Sequence, residues 1–199
     1  MNTIPQILAL DVGGFPSHWM SYEDYAYHFC KDNIAWIYGS EEHTLHGGKS
    51  RLTGLQSHID MAPIVAIRGL NTNRKGGNTT RTPRKVTKRE LFRRDHHMCA
   101  YCGHIFAEKK LEMEHIMPQS RGGPNSWDNL VTSCNGCNNF KRDRTPEEAG
   151  MKLLYTPYEP NRAEWLLLSN RRILADQMDF LLSKVPEESR AHQYVEKAA

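Results

Sequence analysis

The chain has 199 residues, of which 39% are hydrophobic and 25% charged, and its formal net charge is +3. That length can bury a hydrophobic core and suits one domain or two small ones, while no stretch approaches the roughly 18 consecutive apolar residues of a spanning helix. The N-terminus lacks the basic, apolar and small-residue order of a secretion signal, so the expected location is the cytosol, with no membrane partner.

Residues 1–70 read as a small mixed α/β unit. An apolar strand is predicted over Ile7–Leu10, then a turn at Gly13-Gly14. A helix follows, capped by Ser21 with Asp24 three residues on, its apolar side formed by Tyr25 and Phe29, with Tyr22. Cys30 in that aromatic segment reads as a buried, inert thiol. Two more strands, Ile34–Tyr38 and Pro63–Ile67, are β-branched or aromatic and bounded by Gly, Asp and Asn. His43, His46, His58 and Asp60 lack metal-ligand spacing and read as ordinary polar residues.

Charge is spread unevenly. Met1 to Ile67 holds three Lys or Arg against seven Asp or Glu, whereas Arg68 to Met98 holds ten basic residues against Glu90 and Asp95. Residues 71–86, rich in Asn, Gly, Thr and Arg, read as a basic linker, and such a run attracts a polyanion in a salt-sensitive way whatever the polyanion's sequence.

From residue 87 the pattern changes. Thr87 and Glu90 form a second capping box, and Leu91 and Phe92 give the buried side of a helix to about His96. Cys99-Ala100-Tyr101-Cys102 and Cys134-Asn135-Gly136-Cys137 are two CxxC pairs. Five cysteines without an export signal point to metal rather than to disulfides, and four thiolates in two such pairs suit tetrahedral zinc. The 31 residues between the pairs exceed the roughly 15 to 20 of a simple four-cysteine module. The insert reads as a strand, Leu111–Ile116, a Gly- and Pro-containing loop, Gln119–Trp127, and a second strand, Leu130–Thr132. A helix from near Cys134 then carries Asn138, Lys141 and Arg142 on one face. Thr145-Pro146-Glu147-Glu148 starts a further helix, and Asn161 with Glu164 caps the longest, which runs to Lys184. Residues 146–199 thus read as a helical extension with a polar, frayed tail from Pro186.

Glu114-His115-Ile116-Met117-Pro118, Ser120-Arg121-Gly122-Gly123, Asp128-Asn129-Leu130-Val131 and Cys134-Asn135-Gly136-Cys137-Asn138-Asn139-Phe140-Lys141 together closely resemble the HNH endonuclease motif, over roughly Cys99 to Arg144. The whole chain also resembles a group of bacterial HNH proteins. The resemblance implies an α+β fold whose core, residues 87–145, is a ββα-metal unit tied by the zinc bound to Cys99, Cys102, Cys134 and Cys137. It implies a hydrolase that cuts nucleic acid, DNA foremost, with Mg²⁺ or Mn²⁺. His115 is then the general base, for imidazole titrates near neutrality. Asn129 braces the loop, and Glu114 and Asn138 hold the catalytic ion through oxygen, the donor that Mg²⁺ and Mn²⁺ prefer. The family more often has Asp at the first position and often has His at the last, which makes this chain an H-N-N variant. Arg93, Arg94, Arg121, Lys141, Arg142 and Arg144 are the expected phosphate contacts, which position a nucleic acid without reading its sequence. The alternative is a zinc-knuckle module that binds nucleic acid without cutting it; a zinc-built protein adaptor suits the basic segment less well.

Overall fold

The computed structural model describes residues 6–40, 43–70, 86–187 and 189–192. In chain order its elements are β1 (Ile7–Asp11), β2 (Pro16–Met20), α1 (Tyr22–Cys30), β3 (Ile34–Tyr38), β4 (His43–Lys49), β5 (Gln56–Met61) and β6 (Ile64–Ile67). Then come α2 (Lys88–Arg94), β7 (Leu111–His115), β8 (Leu130–Cys134), α3 (Asn135–Lys141), α4 (Arg162–Ser169) and α5 (Ala175–Leu182). This is the mixed α+β class expected from the sequence. Contacts divide the chain into two compact units, one of Met1–Thr80 with Asn170–Val185, the other of Arg81–Ser169 with Pro186–Ala199. Among the described residues no helix is long and apolar enough to cross a membrane. Residues 71–85, nearly all of the expected basic linker, lie outside the described residues, and Val86 at its end is a buried core residue.

In the first unit four strands form a sheet in the order β2-β1-β6-β3. The central pair, β1 and β6, is parallel and buried at every position, which is why both appear in the sequence as unbroken apolar runs. Tyr25 of α1 joins Ile7, Ala9, Met20, Val65 and Ile67 in the core, and its hydroxyl donates to the Asp60 carbonyl at 3.3 Å. Gln177 of α5 is wholly buried in this unit, where its Nε2 donates to the carbonyls of Gln6 and Pro63 at 2.9 and 2.7 Å.

Several expectations for this unit are corrected. Cys30 is exposed rather than buried: five residues beyond Tyr25 it sits roughly 140° round the helix from the buried position. Phe29 and Tyr22 are also largely exposed, so α1 buries a narrower stripe than its aromatics suggest. Strands β4 and β5 form a hairpin of their own, in which His46 faces His58 and Thr44 donates to Asp60 at 2.7 Å. The long final helix is two helices. Asn170 ends the first stretch by accepting from the backbone N–H of Arg172 at 3.1 Å, a local bond that competes with helix continuation, and α5 starts afresh after Leu174.

In the second unit β7 and β8 are an antiparallel pair, from Leu111 opposite Cys134 to His115 opposite Leu130. Leu91 of α2 packs with Val86, Trp127 and Leu130 against one side of this hairpin, with Met113 and Trp165 at the margin. Thr87 caps α2 as expected, accepting from the N–H of Glu90. The turn at Thr145 does form its capping box, with Glu148, but only one turn of helix follows before Gly150, at φ +65°, ends it. The segment after Pro186 is tied in rather than frayed as far as it is described: Arg190–His192 make a short 3-10 turn, Ala191 is buried, and the Arg190 carbonyl lies 2.8 Å from His96 Nε2.

Arg94 is the polar centre of this unit. Its guanidinium is 1% exposed and donates to Asp95 at 2.8 Å and to the carbonyls of Trp127, Tyr158 and Leu130 at 2.8, 3.0 and 2.8 Å. Asp95 in turn accepts from the Thr132 N–H at 2.8 Å. The expectation that Arg94 contacts phosphate is therefore corrected, since each face of the group is occupied inside the protein. Removing one partner of a buried ion pair strands the other, at about 3–5 kcal/mol. Arg94→Ala should lower the urea midpoint accordingly, and an unchanged midpoint would contradict this role.

Candidate functional site

The first CxxC pair lies in a tight knuckle. Met98 bridges Ile105, the Cys99 N–H donates to the His104 carbonyl at 2.9 Å, and Gly103 takes the left-handed conformation, φ +74°, that the reversal needs. The second pair uses a strand-to-helix junction instead. Cys134 ends β8 and caps α3, and its sulfur accepts from the Cys137 N–H at 3.4 Å. The four sulfurs lie within 4.8 Å of one another, and this is the only such cluster of potential ligands among the described residues. Zinc–sulfur bonds of about 2.3 Å place the sulfurs of a tetrahedron about 3.8 Å apart, so the donor set and its spacing fit a zinc ion. The thiols themselves are unevenly tuned. Burial pushes Cys99 up, but backbone N–H bonds from Cys102, Cys134 and Tyr101 outweigh it and bring the group down to about 7. Burial, followed by the neighbouring Cys134 and Cys99 thiols, pushes Cys137 up. A cation shared by all four relieves that repulsion.

Between the knuckles the insert is closed by Asn129. Its Oδ1 accepts from the Met117 N–H at 2.9 Å, and its Nδ2 donates to the carbonyls of Met117 and Pro124 at 3.1 and 3.0 Å. The Asn129 carbonyl also accepts from the Ile116 N–H at 2.9 Å, directly after His115. The loop is so tight that a Cβ on Gly123 would meet the Met117 carbonyl oxygen at 1.8 Å.

His115 ends β7 half-buried, with Nε2 2.6 Å from Asn125 Oδ1. An amide oxygen only accepts, so in this arrangement Nε2 carries the proton and Nδ1 holds the free electron pair. Glu112 and Glu114, two apart on the strand, point to one side, where Asn138 and Lys141, three apart on α3, meet them. Lys141 Nζ donates to Glu114 at 2.6 Å and to the His115 carbonyl at 2.8 Å. Burial pushes the Glu114 carboxyl up, against the pull of the Lys141 ammonium. Asn138 Nδ2 donates to Glu112, so its Oδ1 is the atom left over.

The structure thus brings His115, Glu114 and Asn129 together around one strand end, and sets Asn138 on the facing helix with Glu112 rather than Glu114 as its partner. Lys141 is corrected from phosphate contact to internal counter-ion, being fully buried in a pair with Glu114. Of the other expected contacts, Arg93 donates to the Leu168 carbonyl, Arg121 chelates Glu148 at 2.7 and 2.8 Å, and Arg144 donates to the Lys141 carbonyl at 3.2 Å. Arg142 is exposed, with no side-chain partner among the described residues. Sequence reasoning missed Glu112 and Asn125. Glu112 had a signal, its two-residue spacing from Glu114 on a strand; Asn125, in an irregular loop, had none.

A search of curated proteins gives no match to this chain. Residues 99–154, from the first knuckle through α3 and the turn beyond it, match the family model for HNH endonucleases. Over this segment the chain is similar to HNH endonucleases.

Proposed function

We propose that the protein is an endonuclease that hydrolyses phosphodiester bonds of DNA, with His115 as general base, a divalent ion, Mg²⁺ or Mn²⁺, held by Glu114 and Asn138, and a structural zinc at the four cysteines. The observation that carries this reading is the fixing of His115: Asn125 takes Nε2–H, and the free pair of Nδ1 is available to remove a proton from water. Base catalysis of this kind is efficient near neutral pH, where imidazole titrates. The donor chemistry also fits. Asn138 offers a carbonyl oxygen because its NH₂ is given to Glu112, and Glu114 Oε1 is engaged by Lys141 while its second oxygen is not. When bound, the ion supplies charge neutralisation at the phosphoryl oxygens and at the leaving oxygen. Asn129 keeps the His115 backbone in place by bracing the loop that follows it.

The Glu114–Lys141 pair is the one observation that favours a second reading, a module that binds nucleic acid without cutting it, because a buried ion pair can be purely structural. Supercoiled-plasmid nicking by the purified protein with Mg²⁺ or Mn²⁺ decides between them. Metal-dependent nicking supports the nuclease; intact, salt-sensitive DNA binding without nicking supports the binding module.

Glu112 enters this scheme as a positioning residue, since a carboxylate obliges the Asn138 amide to present nitrogen to it and oxygen away. Groups that orient metal ligands change metal affinity by about 10–100-fold. Glu112→Ala should therefore raise the Mg²⁺ concentration for half-maximal cutting by about that factor, with the rate recovered at saturating metal. An unchanged metal titration would remove Glu112 from the site.

A further inference from the structure

The expected phosphate contacts are largely consumed inside the protein, which raises the question of what holds the substrate. A cleft of about 550 Å³ opens between the first turn of α2, the 3-10 turn Glu108–Lys110 and the start of β7. Lys88, Arg89 and Lys109 line it together with Asn135, Glu108 and Glu112. All three cations are exposed, and none has a hydrogen bond or ion pair among the described residues. The two carboxylates are engaged: Glu108 lies 3.4 Å from His97 Nε2, and Glu112 accepts from Asn138.

The positions of Lys88 and Arg89 are informative in themselves. Both sit in the first turn of α2, at the positive end of the helix dipole, where a cation opposes the helix rather than supporting it. Neither residue contributes to the buried side, which is Leu91, Phe92 and Arg94. Their charge is thus unused, or slightly costly, in the folded chain alone.

We propose that this cleft binds the sugar–phosphate backbone of the nucleic-acid substrate, beside the bond to be cut, through Lys88, Arg89 and Lys109. The assignment of the bound nucleic acid as substrate rests on the nuclease reading. The cleft lies at the Leu111 end of β7 and His115 at the other, four strand residues or roughly 14 Å away. A strand held here is gripped beside the reacting phosphate, not at it. Loss of the grip therefore weakens binding and leaves the chemical step intact. Contacts of this type carry no sequence preference and act by release of counterions.

The test is the triple variant Lys88→Ala/Arg89→Ala/Lys109→Ala, with Lys110→Ala, an exposed neighbour outside the cleft lining, as control. Binding to a short fluorescein-labelled DNA duplex is followed by anisotropy across a salt series, and zinc content and melting temperature establish that each variant is folded. The triple variant is expected to bind about tenfold or more weakly at low salt, with the slope of log K against log salt reduced by about 2–3, since each phosphate contact contributes roughly 0.9. In cleavage, KM rises and kcat stays. Lys110→Ala behaves as wild type. A folded triple variant with wild-type affinity and slope overturns the proposal even if the protein cuts DNA. A wild type that binds but never cuts overturns the nuclease reading, and the binding arm still reports on the cleft.

Discussion

Replacing Cys134 by Ser is expected to cost the protein its zinc and, with it, the fold of the second unit. Cys134 does three things at once: it ends β8, it caps α3 through the Cys137 N–H, and it is one of four sulfurs within 4.8 Å. Structural zinc sites of this kind contribute about 10–16 kcal/mol of apparent binding free energy near neutral pH, comparable with or larger than the roughly 5–15 kcal/mol that holds a typical domain together. Three remaining thiols cannot close a tetrahedral shell without water. The knuckle and the helix would then lose their shared anchor, and α3 has only seven residues with which to hold itself, too few for a stable isolated helix. The measurement is zinc per chain by elemental mass spectrometry, alongside near-ultraviolet circular dichroism and thermal melting. A Cys134→Ser protein that keeps one equivalent of zinc and melts like the wild type would show that the cluster is not the anchor described here. Strong chelators should reproduce the variant's state in the wild type, and added zinc should reverse it.

His115→Ala is expected to reduce plasmid nicking by about 10²- to 10⁴-fold, the usual contribution of a positioned general base, with DNA affinity and zinc content unchanged. His115 belongs neither to the cysteine cluster nor to the Leu91–Trp127 core, and its backbone carbonyl, which Lys141 uses, survives the substitution. A large loss can therefore be ascribed to the side chain. Asn125→Ala should lower the rate in the same direction by less, because the ring keeps its free pair but loses the partner that orients it. The rates are best compared in single turnover at saturating metal, so that product release does not hide the chemical step. A His115→Ala enzyme that nicks as fast as the wild type would end the assignment of this residue as base.

The parts of the protein that could be read from sequence were those whose chemistry repeats at short range. Two CxxC pairs announce a metal because four ligands must converge, and Thr87 with Glu90 announces a helix start because both capping bonds are local. The β1 and β6 runs were visible because a strand buried on both faces is apolar throughout. What could not be read depended on which way a side chain turns. Arg94 and Lys141 carry the same charge as Arg142, and only the tertiary structure places the first two inside and the third outside. The β4–β5 hairpin offered no clean alternation, with Gly47 and Gly48 in one strand and only Leu45, Ile59 and Met61 as apolar positions turned toward the core. The break after Ser169 came from Asn170, whose local hydrogen bond overrode an apolar period that continues on either side. Asn125 orients His115 from a loop whose course no periodicity describes.

Thr132 stands midway between the cysteine cluster and the Arg94–Asp95 centre, and it bears on how an ion would be captured. Its carbonyl accepts from the Ala100 N–H at 2.8 Å, between Cys99 and Cys102, while its own N–H goes to Asp95 at the same distance, two residues ahead of Cys134. Bringing together chain segments separated by a loop of this size costs on the order of 3 kcal/mol in closure entropy. Here that cost falls on backbone bonds and on the Arg94–Asp95 centre. An ion held by the first CxxC pair would accordingly meet the second as an intramolecular partner at high effective concentration, and its binding would lock an approach of the two knuckles that these bonds begin but do not sustain alone.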